Sequence, residues 1–169
     1  GSAWTETVYG DVPTATYNAN TFNIFLDDDK VADNTNFFFG GYNTWEETLN
    51  AIHKWNGIGG VGARQMKTYN ILMTKDYTYS NGIAPKNSGS NPGRFNLDLG
   101  ENTLTLSGNG VLVPFYNNRT DASPSFTVKN GSVVISGDAK LAVLQTSTKD
   151  LGSKLTLNLE DLDVTYNGT

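Results

Sequence analysis

The chain has 169 residues, about one domain and enough to bury a core. A net charge of −5 and a pI near 4.7 leave no basic patch to release counterions from phosphates, so nucleic acid is not an expected partner. Cysteine is absent, which excludes disulfides and thiolate metal centres, and charged residues are only 17% of the chain.

The polar surface comes instead from Asn, Thr, Ser and Gly, a composition closer to an exported bacterial module than to a cytosolic enzyme. An extracellular or cell-surface location is therefore expected. No stretch approaches the ~18 apolar residues of a membrane span, so membrane insertion is not expected. Gly1-Ser2 reads as an expression scar, residues 3–92 as strands, a helix and a loop, and residues 93–169 as a series of repeats.

In chain order, Thr5–Tyr9 and Thr21–Leu26 alternate as strands, separated by Gly10-Asp11 and Pro13. Asp27, Asp28 and Asp29 follow, with Asn34 and Asn36 nearby. Clustered carboxylate and amide oxygens suit Ca²⁺, but neither the Gly nor the bidentate Glu of an EF-hand loop falls in place, so no metal or other cofactor is expected. Thr44-Trp45-Glu46-Glu47 is a capping box and opens a helix to Asn56. Trp45, Leu49 and Ile52 recur on one face, and Asn56-Gly57 supplies a left-handed stop. His53, the sole histidine, flanks that stripe and reads as structural. The Gly-rich run 57–62 lacks the Gly-Lys-Ser/Thr of a phosphate loop and follows its helix instead of preceding it, which makes it a connector. Tyr69–Thr74 alternates as a strand, Tyr77–Tyr79 continues it, and 80–92 is a polar loop.

From Phe95 onward one phrase is said three times. The first copy runs Phe95–Leu99, Leu104–Leu106, Val111–Val113, and the second Phe126–Val128, Val133–Ile135, Leu141–Val143. The third runs Leu155–Leu159 and Leu162–Val164. Phe95 to Phe126 is 31 residues and Phe126 to Leu155 is 29. A period in that range predicts a repeat architecture in which each unit buries its apolar face only by stacking on the next. Alternation puts one face of each strand inside, and Asn-Gly and Ser-Gly corners tolerate left-handed bends. The expected fold is all-β, a right-handed parallel β-helix of about three coils with a capping α-helix. A β-sandwich is the competing arrangement, because short strands with frequent turns also describe it.

The run from Phe95 to Val111 resembles the first coil of pectate-lyase-like right-handed β-helices of bacterial surface proteins. The resemblance extends to the upstream order of helix, Gly-rich connector, strand and polar loop, and covers roughly residues 44–166. It implies that the helix lids the first coil, with Trp45, Leu49 and Ile52 over the open end. It also implies that Leu155, Leu157 and Leu159 face inward at the other end. Further coils, or another chain by end-to-end self-association, would cover them.

On such folds, ligands meet the outward side chains of one strand face, here Asn96 and Asp98, Thr127 and Lys129, Thr156 and Asn158. A lyase needs several carboxylates for Ca²⁺ and a placed base, whereas this column offers Asp98 alone, beside Lys129. No Gly-His-Gly, Gly-x-Ser-x-Gly or His-Glu-x-x-His occurs. Catalysis is therefore not expected in this segment, the alternative being the opening part of a polysaccharide lyase or hydrolase. Exposed aromatics stack on sugar rings, and Trp4, Trp55, Tyr77, Tyr79 and Tyr116, with Asp98, are the candidate ligand-binding residues. The expected role is a glycan-binding or adhesin-type surface module, or a purely structural stalk.

Overall fold

The computed structural model describes residues 20–27, 37–57, 68–81, 86–87, 94–117, 125–146 and 156–167. These residues are mostly β-strand, with one helix. Strands β1 (Phe22–Asp27) and β2 (Phe37–Tyr42) precede helix α1 (Trp45–Gly57), which is followed by β3 (Thr68–Met73), β4 (Tyr77–Tyr79) and β5 (Lys86–Asn87). Next come β6 (Arg94–Asp98), β7 (Thr103–Leu106) and β8 (Val111–Asn117), then β9 (Ser125–Ser136), β10 (Lys140–Thr146) and β11 (Thr156–Asn167).

The larger sheet is mixed and curls on itself. β1 pairs antiparallel with β2 and β3, and from β3 onward every pairing is parallel. The order β3, β6, β9, β11 follows the chain, with Tyr69 beside Phe95, Phe95 beside Phe126 and Phe126 beside Leu157. The second half of β9 carries a matching series, in which Tyr77 lies beside Leu104, Leu104 beside Val133 and Val133 beside Val164. A smaller parallel sheet runs β5, β8, β10.

The core lies inside this curl. Tyr69 and Phe95 stack at 5.3 Å and Phe95 and Phe126 at 6.0 Å, so aromatic rings repeat up the ladder where the strands do. Leu97, Val128, Leu104, Leu106 and Val133 are buried beside them. Period-2 alternation accounts for this: in β3 and β7 every second residue is buried.

Corners bend the chain between faces. Glu101, Asn130 and Asp161 have φ of 66°, 62° and 46°, and Gly108 and Gly137 have 56° and 63°. The corners at Glu101 and Asn130, and at Gly108 and Gly137, also bond to each other between layers. Glu101 N–H donates to Asn130 O at 2.7 Å, Ser132 N–H to Asn102 O at 3.1 Å, and Asp138 N–H to Gly108 O at 3.1 Å.

Helix α1 starts as its capping residues require. The Thr44 hydroxyl accepts from Glu47 N–H at 3.2 Å and donates to Glu47 Oε1 at 3.0 Å, so the carboxylate reaches the hydroxyl. Trp45 is fully buried, 5.1 Å from the Phe22 ring and 6.5 Å from Phe126, with its indole N–H donating to Leu112 O. It is an anchor driven into the core more than a cover laid over it. Leu49 is partly buried against the same cluster, while the Ile52 side chain lies outside the described residues.

Several expectations are corrected. The layer expected to begin at Phe95 begins one layer earlier: β3 and β4 pair in register with β6 and β7, and Asn70 to Asn96 is a step of 26 residues. Phe126 is matched by Leu157, two residues beyond Leu155, which itself lies outside the described residues. In the second and third copies the first two expected strands join into single bent strands of 12 residues. Inside the expected polar loop, β5 pairs with β8. β2 was not expected, because Phe37–Tyr42 is an aromatic and glycine run without alternation. Thr5–Tyr9 and the Gly-rich connector beyond Gly57 lie outside the described residues.

Candidate functional site

Because Leu104, Leu106, Val133 and Ile135 point into the core, the residues between them point outward. On β7 these are Thr103 and Thr105, with Ser107 just beyond the strand, and on β9 they are Ser132, Val134 and Ser136. On β11 they are Asp163, Thr165 and Asn167. The register sets Thr103 beside Ser132 and Ser132 beside Asp163, Thr105 beside Val134 and Val134 beside Thr165, and Ser136 beside Asn167. Thr78 of β4 extends the Thr105 row and is exposed. The result is a grid of mostly short polar side chains around Val134, about 4.8 Å apart between strands and about 6.7 Å apart along each strand.

This face is bounded on the β4 side by acidic and amide groups. Asp76 Oδ1 accepts from Thr103 N–H at 2.8 Å, and Asn81 Nδ2 donates to Glu46 Oε1 at 2.6 Å. Its hydroxyls can donate and accept, and parallel strand backbones hold them in rows. Chemically it can hydrogen-bond a flat, hydroxyl-bearing ligand at several points at once.

The expected outward column on the first halves of the strands is also formed, shifted by the two-residue slip of the third copy. Asn96, Thr127 and Asn158 lie side by side, as do Asp98, Lys129 and Glu160. Asn96 Nδ2 donates to Asn70 Oδ1 at 2.9 Å and Asn158 Nδ2 to Thr127 Oγ1 at 3.4 Å. Thr127 is buried, so this column is less open than the hydroxyl grid. Thr156 pairs with Ser125 instead of the Thr127 expected for it.

The other expected ligand-binding residues are dispersed. Tyr79 is 2% exposed, with its ring inside the core, where it cannot stack on a sugar. Tyr77 is half-buried, its ring edge-on to Phe22 at 4.9 Å and its hydroxyl accepting from Trp45 N–H at 3.0 Å. Burial raises the Tyr77 phenol above its ordinary value against the lowering effect of that bond, and burial with nearby Glu46 and Tyr77 raises Tyr79 strongly. Asp98 sits at the end of β6, where its Oδ1 accepts from Gly100 N–H at 2.9 Å and shapes the corner. Tyr116 lies in β8 beside Gln145 and Asn87, and Trp55 and His53 lie in α1; their side chains are outside the described residues, as is all of Trp4. Asp27 ends β1 beside Thr68, while Asp28 and Asp29 are outside the described residues. Among the described residues no group of three or more His, Cys, Asp or Glu is placed to hold a metal, and no helix is long and apolar enough to cross a membrane.

Two features were missed in the sequence. One is the hydroxyl grid, which needs the Thr-Leu-Thr-Leu run to be aligned with the strands above and below. The other is Tyr166, 62% exposed, which occupies the register of the buried Leu106 and Ile135. No protein-family model, curated protein or solved structure matches the chain.

Proposed function

We propose that this chain is a non-catalytic, extracellular or cell-surface module of the parallel β-helix type, which binds glycan through the outer face of β4, β7, β9 and β11. The in-register parallel order β3, β6, β9, β11, joined by a second series and by the smaller sheet, supports the solenoid reading. A sandwich would need antiparallel layers throughout.

The observation that carries the binding role is the grouping of Thr103, Thr105, Ser132, Ser136 and Thr165 on one strand face. Short polar side chains repeated by strand spacing, with Val134 and Asp163 among them, suit a polymer of hydroxylated rings, which gains from many weak bonds in parallel. The carboxylates on and beside this face, Asp163 and Asp76, favour a neutral polysaccharide over an acidic one.

The test is a glycan array followed by affinity electrophoresis in gels containing each retained polysaccharide. The wild-type chain should be retarded by at least one polymer, and Thr105→Arg with Ser132→Arg should abolish retardation without changing the melting temperature. Retention by none would favour a purely structural stalk. Unchanged retention of the double variant would place binding elsewhere and sink the proposal.

A further inference from the structure

The outward residues of β4, β7, β9 and β11 sort into three columns that run across the strands. The middle column is Thr78, Thr105, Val134 and Thr165, each paired in register with the next. All four side chains branch at Cβ and carry at least one methyl there, held close to the sheet by a stiff χ1. Thr78 and Thr165 are exposed, and Thr105 and Val134 are partly so. Val134 stands outside the core cluster that holds Val133 and Ile135 on either side of it, so its methyls belong to the outer face.

Polar groups flank this column on both sides. On one side Ser132 lies between Thr103 and Asp163, and Asp76 Oδ1 accepts from Thr103 N–H at 2.8 Å. On the other side Ser136 lies beside Asn167, with Ser107 just beyond the end of β7. The cross-section repeated from strand to strand is therefore polar, methyl, polar, with about 6.7 Å between columns. No aromatic or arginine side chain stands in these columns, so the face lacks the anchors of a protein interface.

A hydroxylated ring matches that cross-section in one orientation. Its ring C–H groups lie over the methyl column, and hydroxyls at its two edges reach the flanking columns. Those hydroxyls must be equatorial, because an axial one would lift the ring or press a polar group onto the methyls. The linkage must also keep successive rings flat along the column. A diequatorial linkage does so, whereas α-linked glucans coil and turn their ring faces away. Building on the glycan-binding reading above, we infer that this face takes a neutral, diequatorially linked glucan ribbon lying across the strands, its ring faces over Thr105 and Val134. Asp163 and Asp76 disfavour a ribbon that carries carboxylates.

The test is affinity electrophoresis of the whole chain in native gels containing hydroxyethylcellulose, carboxymethylcellulose, soluble starch or dextran. Hydroxyethylcellulose should retard the chain, its acidic counterpart on the same backbone should do so less, and the two α-linked glucans should not. Thr105→Ser and Thr165→Ser each keep the hydroxyl and delete one methyl. Each should weaken binding to hydroxyethylcellulose about fourfold, the worth of one buried methyl, with the melting temperature unchanged. Asp163→Asn, at an exposed position, should increase retardation by carboxymethylcellulose without touching the methyl column. The inference is overturned if starch or dextran retards the chain as strongly as hydroxyethylcellulose, if both serine variants bind like the wild type, or if Asp163→Asn changes neither cellulose gel. Retention by some other polysaccharide but not by hydroxyethylcellulose overturns it while the glycan-binding reading stands. Retention by no polysaccharide sinks both.

Discussion

The indole N–H of Trp45 donates to the carbonyl oxygen of Leu112 at 2.7 Å, tying the first turn of α1 to β8 across 67 residues of chain. Both partners are buried, so the bond forms where water cannot substitute for it. It fixes where the helix sits, because the ring is also held between Phe22 and Phe126.

Trp45→Phe should therefore cost more than a lost ring contact. It removes the donor from a buried carbonyl and leaves a void, together ~2–4 kcal/mol. Urea unfolding monitored by circular dichroism would measure it. A loss under ~1 kcal/mol would mean that Leu112 O finds another donor and the helix is not anchored here.

Two glycines should fail for different reasons. A Cβ on Gly131 would meet Asn102 O at 2.5 Å and Leu99 Cβ at 2.7 Å, neither of which can swing away, so Gly131→Ala must push adjacent layers apart. A Cβ on Gly137 would make only ordinary contacts, Gly108 O at 3.5 Å being the nearest, but φ there is 63°, so Gly137→Ala carries only the left-handed cost of ~1–2 kcal/mol. Thermal melts should rank Gly131→Ala as the more damaging. The reverse order would contradict the close approach of the corner to Asn102.

The Tyr79 hydroxyl is buried with no hydrogen-bond partner among the described residues. An orphaned buried hydroxyl costs ~1–3 kcal/mol, so Tyr79→Phe should leave stability unchanged or raise it within that range. A lower melting temperature for the variant would show that the hydroxyl is satisfied and useful.

Tyr42, Tyr77 and Tyr79 all have phenols raised from the ordinary value of 10.0, burial being the largest cause in each. A raised acid favours the protonated folded state. The stability it contributes is whole below the unfolded value near 10 and is lost as pH climbs towards the folded value. The chain should thus hold its melting temperature up to about pH 10 and lose it steeply above. Tyrosinate absorbance during alkaline titration should lag behind free tyrosine until unfolding. Coincidence with free tyrosine would refute the burial of these rings.

Much of the ladder was legible because alternation and corner residues are local signals. Thr44 and Glu47 marked the helix start, and Asn130, Gly108 and Gly137 marked bends that do adopt left-handed φ. The third copy slipped because Leu155, Leu157 and Leu159 are interchangeable by type. A shift of two keeps every side chain on its face, and only the corner at Asp161 fixes the register. The layer at Tyr69 was hidden by a shorter step and by Tyr standing where later layers carry Phe or Leu. Tyr79 was misplaced since a tyrosine in a polar stretch gives no sign of which way it faces, and its register with Leu106 and Ile135 is a property of the stack. The hydroxyl grid was illegible for the same reason: it exists only between strands.

In the parallel part of the larger sheet, spatial order follows synthesis order. Of its strands β6, β7, β9 and β11 each meet a surface made of residues translated before them, roughly one repeat earlier. A nascent chain can accordingly crystallise vectorially on its own completed portion, with no segment waiting for a distant mate still inside the ribosome.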